Sequence, residues 1–273
     1  MSNLIRLGKS GIEYLTHQWG FFSGCRHKQL GLCPPEFRCW AETITKRFKG
    51  HYPNDFEPTF YPDAFLSPLR LKKPSRIGCA FMGDLFGDWV DPEQMMMLPL
   101  PEKPEKYGSF MLQGKLRQVL FGVIRTCPQH TFLFLTKNPA GLLKWSPFPD
   151  NCEVGFSACN REMLLAGCRV MQAVEARVKF VSIEPMLEDT WCLPSTLILA
   201  GINWVIIGAQ TRPYLPPQAD WVKTMVQEVD IVGARIFLKD NLFKLMNEQP
   251  HDDRYWEDLA NLRQELPDRR VKV

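Results

Sequence analysis

The chain has 273 residues, 45% of them hydrophobic and 23% charged, which is the composition of an ordinary globular protein. No apolar run reaches the roughly eighteen residues that cross a bilayer, and the N-terminus lacks an apolar segment ending in a small-residue cleavage site, so neither a membrane span nor a signal peptide is expected. The net charge of +3 is too small to imply a nucleic-acid partner by itself. A reducing cytoplasm is the expected compartment, where clustered cysteines more often bind metal or catalyse than form disulfides.

In chain order, a weak first strand is expected over 17–23. It runs into "FSGCRHKQLGLCPPEFRCWAE", residues 22–42, where Cys25, Cys33 and Cys39 are spaced C-x7-C-x5-C. Gly31 and the pair Pro34-Pro35 break any regular element there, so the three thiols sit in a loop. Ala41, Ile44 and Phe48 then keep helical spacing. Strands follow at 76–82, 131–136, 153–157, 178–184, 203–208 and 235–239, each short, rich in β-branched or aromatic residues and apolar nearly throughout. Helices fall between them. Leu116, Val119, Leu120, Val123 and Ile124 form one stripe, Leu164, Cys168 and Met171 a second, and Val222, Met225, Val226 and Val229 a third. The Met- and Pro-rich stretch 95–109 interrupts the alternation and reads as a surface excursion.

Repeated strand–helix units imply an α/β fold with parallel strands. The first reading is a partial or complete (β/α) barrel of about six or seven parallel strands, and an open doubly wound sheet is the second. Residues 1–246 would form the barrel, with the cysteine loop at 22–42. Residues 247–273 would form a polar C-terminal segment with a short helix around 256–265.

Every expected strand ends in polar or glycine residues, among them Gly83 and Asp84, Lys137, Ser157 with Asn160, Glu184, and Gln210. In parallel α/β folds ligands bind at the carboxyl ends of the strands, so these residues are candidate ligand contacts. Each also has a plainer reading, such as Asp84 capping a helix or Glu184 pairing with a lysine. The other six cysteines, Cys79, Cys127, Cys152, Cys159, Cys168 and Cys192, read as core residues. For the clustered three, metal is the expected partner. Zinc would want a fourth ligand, and His27 could complete a Cys3His set in a binding module for nucleic acid. His27 nevertheless reads first as a basic loop residue between Arg26 and Lys28. A four-iron cluster held by three thiolates would keep one iron open. A third possibility is acid–base chemistry by Asp84, Lys137 and Glu184 without a cluster.

The ordered set "SGC…C…CWAE", "LKKPSRIGCAFMGDLFGDWV", "CPQHTFLFLTKNP", "VGFSACN", "VKFVSIEPML", "INWVIIGAQT" and "IFLKDN" resembles the phage-associated three-Cys-motif proteins, a radical-SAM-like family. The resemblance runs over roughly residues 19–241. It implies a radical-SAM type of barrel in which Cys25, Cys33 and Cys39 bind a [4Fe–4S] cluster and S-adenosylmethionine chelates the open iron. An external electron donor would drive reductive cleavage to a 5′-deoxyadenosyl radical, and the substrate would be a nucleic acid or nucleotide. It further implies that Gly83 and Asp84 lie near the methionine amino group and Ser157 and Asn160 near the ribose or carboxylate. Lys137, Glu184 and Gln210 would line the same mouth.

Overall fold

The computed structural model describes residues 7–31, 33, 38–99, 111–243 and 262–267. The chain divides into two compact units, Met1–Cys152 and Glu153–Val273.

The first unit contains β1 (Leu7–Lys9), β2 (His17–Trp19), β3 (Phe22–Gly24), α1 (Trp40–Arg47), β4 (Thr59–Phe60), β5 (Arg76–Cys79), β6 (Met82–Gly83), β7 (Met95–Pro99), β8 (Met111–Lys115), α2 (Leu116–Arg125) and β9 (Thr131–Thr136). β2, β5 and β9 pair in parallel, and β1 joins β2 antiparallel. A smaller sheet sets β3 between β4, antiparallel, and β6, parallel. The weak strand expected over 17–23 is thus two strands in two sheets. The strand expected over 76–82 also breaks, at Ala80, whose φ of 59° is left-handed. Trp19 is fully buried among Phe21, Phe65 and Phe132, and its indole N–H donates to the Ala64 carbonyl at 2.7 Å. A large ring can be buried whole here because its one polar atom has a partner.

The stretch expected as a surface excursion over 95–109 is regular where it is described. β7 pairs antiparallel with β8, with Met95 and Met97 exposed and Leu98 buried. Residues 100–109 lie outside the described residues. In α1 the expected apolar face is displaced: Ala41 and Thr45 are buried, whereas Phe48 is largely exposed.

The second unit opens on β10 (Cys152–Ser157) and continues through α3 (Arg161–Met171), β11 (Val178–Ile183), α4 (Pro194–Ala200), β12 (Ile202–Ile207), the short strands β13 (Gln210–Thr211) and β14 (Tyr214–Leu215), α5 (Ala219–Val232) and β15 (Arg235–Leu238). β10, β11, β12 and β15 pair in parallel in that order. β10 is buried at every position, as a strand covered on both faces must be. Of the six cysteines expected in the core, five are buried, while Cys159 is only half-buried just after β10.

The fold is mixed α/β with mostly parallel strands, but no closed barrel forms among the described residues. β1 pairs only with β2, in the antiparallel sense, and so ends the first unit's row of strands. Beyond β15 the edge is taken by extended chain: Leu238 N–H donates to Arg263 O at 2.8 Å and Glu265 N–H to Ile236 O at 2.8 Å. That finding also corrects the helix expected around 256–265 over its described part, because 263–265 form edge backbone rather than helix. Trp204 Nε1 donates to the Glu265 carbonyl at 2.9 Å and ties this segment to the core. No described helix is long and apolar enough to cross a membrane.

Lys179 on β11 does the work of two helix caps. Its Nζ donates to the last carbonyls of α3 and α4, Met171 O at 2.7 Å and Ala200 O at 3.2 Å, and burial lowers its pKa. Carbonyls at helix C-termini lack intrahelical partners and attract cations. Replacing Lys179 with Met keeps the stem and removes the donor, so urea unfolding should show a loss of about 1–3 kcal/mol.

A second expectation concerns pH. Burial, with the neighbouring Cys192 thiol, pushes the Cys168 pKa from 9.0 up to about 12. The unfolded chain therefore loses this proton first. Stability is full below about pH 9 and declines as pH rises toward about 12. Melting temperatures across that window should fall, and Cys168→Ala should flatten the fall.

Candidate functional site: a cysteine loop held on Asp84

In the first unit, β3 and β6 approach unusually closely. Gly24 pairs with Gly83, Asp84 N–H donates to Gly24 O at 3.2 Å, and a Cβ on Gly83 would stand 2.3 Å from that same oxygen. Gly24 itself has φ +92°, and a Cβ there would lie 2.3 Å from Glu57 O. Two glycines are required because two backbones touch. The contact delivers the start of the cysteine loop onto the turn that carries Asp84.

Asp84 is buried and accepts from every side. Its carboxylate receives His27 Nε2 at 2.7 Å, Phe86 N–H at 3.0 Å, Thr136 Oγ1 at 2.7 Å and Lys137 N–H at 2.9 Å. Thr136 Oγ1 in turn accepts Asn138 N–H at 2.8 Å, and the Asn138 amide reaches Phe86 O at 3.0 Å. Four donors fill the ordinary acceptor capacity of a carboxylate. The resemblance places Asp84 near a methionine amino group; here its oxygens are already engaged by protein donors.

His27 is 2% exposed, which corrects its reading as a basic loop residue. Because Asp84 only accepts, Nε2 is the donor, and in the neutral ring Nδ1 then carries the lone pair. That Nδ1 is buried and has no hydrogen-bond partner. The ring packs edge-on to Trp89 at 5.1 Å.

Of the three thiols, Cys25 touches this pair. Cys25 Sγ accepts the His27 backbone N–H at 3.4 Å. Burial pushes the Cys25 thiol up to about 12, and the charges of Asp84, Cys33 and Cys39 add to the rise while the His27 N–H opposes it. Cys33 is buried, with Lys137 Nζ 3.8 Å from its sulfur. Cys39 is half-buried and stands at the N-cap of α1. Residues 32 and 34–37 lie outside the described residues. Among those described, no three His, Cys, Asp or Glu side chains stand close enough together to hold a single metal ion.

The remaining candidates belong to the second unit. Ser157 is buried opposite Ser182, whose Oγ has no partner. Asn160 caps α3, its Oδ1 accepting Met163 N–H at 2.8 Å. Glu184 pairs with Lys239 at 2.5 Å across Gly208, where a Cβ would stand 3.1 Å from both side chains. Gln210 lies in the β13–β14 hairpin and donates to Pro213 O at 3.1 Å. The sequence pointed to Asp84, Lys137 and the cysteines and offered His27 only as a fourth zinc ligand, but it missed Trp89. The basic stretch at 46–49 is partly neutralised, Lys46 by Glu42 and Lys49 by Asp55, and Arg76 is buried.

Fold and site define an α/β protein with a cysteine loop anchored on a buried carboxylate. A family model described as "Protein of unknown function (DUF5131)" matches residues 9–99 and 110–250, and the chain belongs to that family. No curated protein and no solved structure is similar enough to this chain to count as a match.

The four donors on Asp84 predict how it responds to substitution. Asp84→Asn turns an amide N–H₂ toward at least one donor, and urea unfolding of the metal-free protein should show a loss of about 3 kcal/mol. Exposed Asp88→Asn should stay within about 0.5 kcal/mol of the parent.

Proposed function

We propose that this protein is a radical-SAM-like iron–sulfur enzyme whose Cys25, Cys33 and Cys39 bind a [4Fe–4S] cluster. The observation that carries the reading is a single cysteine loop with Cys33 buried, Cys25 and Cys39 half-buried, and the Cys25 sulfur bonded to the His27 backbone N–H beside Asp84. Three thiolates and a cluster gather negative charge, and the surroundings suit it. The Lys137 ammonium lies against Cys33, and α1 begins at Cys39, so the free N–H groups of its first turn face that end of the loop. One zinc ion gathers four donors at about 2.0–2.3 Å, whereas a cluster spreads its thiolates over separate irons.

When bound, the cluster and S-adenosylmethionine would together supply reductive cleavage of the sulfonium, with the electron coming from an external donor. This chain's residues bind and orient. Gly24 and Gly83 allow the loop to approach, and Asp84 holds the loop, its own turn and the end of β9 in one arrangement. The high pKa of Cys25 means that loading must displace a tightly held proton, so uptake should be faster at alkaline pH.

Anaerobic purification or reconstitution should give about four irons per chain. Addition of dithionite and S-adenosylmethionine should release 5′-deoxyadenosine. Replacing all three cysteines by Ala should abolish iron uptake while leaving the circular-dichroism spectrum unchanged. A protein that stays iron-free after reconstitution would sink the proposal.

A further inference from the structure

The buried imidazole of His27 is half satisfied: the reading above uses Nε2 alone. Its Nε2 is fixed on Asp84 at 2.7 Å, and its Nδ1 is out of water with no partner. Leaving a buried polar atom unpaired costs about 1–3 kcal/mol. The bond to Asp84 accounts for one ring nitrogen and leaves the other without a partner. In the neutral ring this nitrogen carries a lone pair, which suits either a hydrogen-bond donor or a Lewis acid. No donor among the described residues reaches it.

A histidine that donates one ring N–H to a carboxylate and turns the other nitrogen inward has the geometry of a metal ligand. The carboxylate fixes the tautomer and makes the free nitrogen more basic. Here the carboxylate is rigid, since three further donors hold it. The nitrogen belongs to the residue two places after Cys25, and the His27 backbone N–H already touches the Cys25 sulfur.

We infer that His27, through Nδ1, is a fourth protein ligand of the metal centre, oriented by Asp84. The inference rests on the cluster proposed above and adds to it. With a cluster bound, His27 would take the position that three cysteines leave open.

The test uses full-length protein labelled with ¹⁵N-histidine, reconstituted anaerobically, reduced and examined by pulsed electron paramagnetic resonance. A strongly coupled histidine nitrogen is expected, and it should vanish in His27→Gln while about four irons per chain remain. A fully loaded cluster with no coupled nitrogen overturns this inference alone and leaves the cluster standing. A coupling that survives His27→Gln overturns it as well. Protein without iron overturns both readings. The wild-type spectrum is decisive by itself in the negative, so a His27→Gln protein that failed to fold would not shelter the inference.

Discussion

A carboxylate that leaves water must be met by donors, and Asp84 draws its four from separate stretches of chain. One comes from the cysteine loop, one from its own turn, and two from the end of β9. The requirement is local, but its effect is to join elements that sequence separates by more than fifty residues. Within the loop Cys25 and Cys39 are half-buried. The loop's placement depends on this one group and on the Gly24–Gly83 contact beside it.

The second unit handles its polar strand ends differently. Glu184 is closed by Lys239, Asn160 by the first turn of α3, and Asn241 and Ala209 bond reciprocally at 3.0 and 2.8 Å. A ligand approaching any of these would have to displace an existing partner. Unpartnered buried atoms occur in both units, Ser182 Oγ at the end of β11 and His27 Nδ1 beside Asp84, and only the latter adjoins the cysteine loop.

Much of the fold was legible because strands covered on both faces leave long apolar runs. β9 has the expected bounds, and β10, β11, β12 and β15 differ from them by one residue at one or both ends. Where the structure departs, the reasons are physical. "PSTLILA" forms α4 while exposing Ile198 and Leu199, so no apolar stripe announced it. β7 hides among methionines and prolines whose strand character depends on β8. Closure into a barrel depends on what occupies the sheet edges, and strand patterning carries no information about that. At the site, residues following strands were visible by position alone. His27 was not, because its neighbours Arg26 and Lys28 give it the look of a solvated loop, and only Asp84, fifty-seven residues away, takes it into the interior.

The short extended segment over 263–265 has a consequence for how the molecule keeps to itself. β15 is an edge strand of apolar composition, "RIFL", and such an edge is a template for pairing with any other exposed strand. Gln264 reinforces the cover with side-chain bonds to Leu238 O at 3.1 Å and Asp240 at 2.7 Å, and Arg263 holds Asp230 and Glu265. The segment thus works as a guard rail against self-association. A chain cut before Leu262 would keep every strand of its sheets and still tend to stick to its own copies.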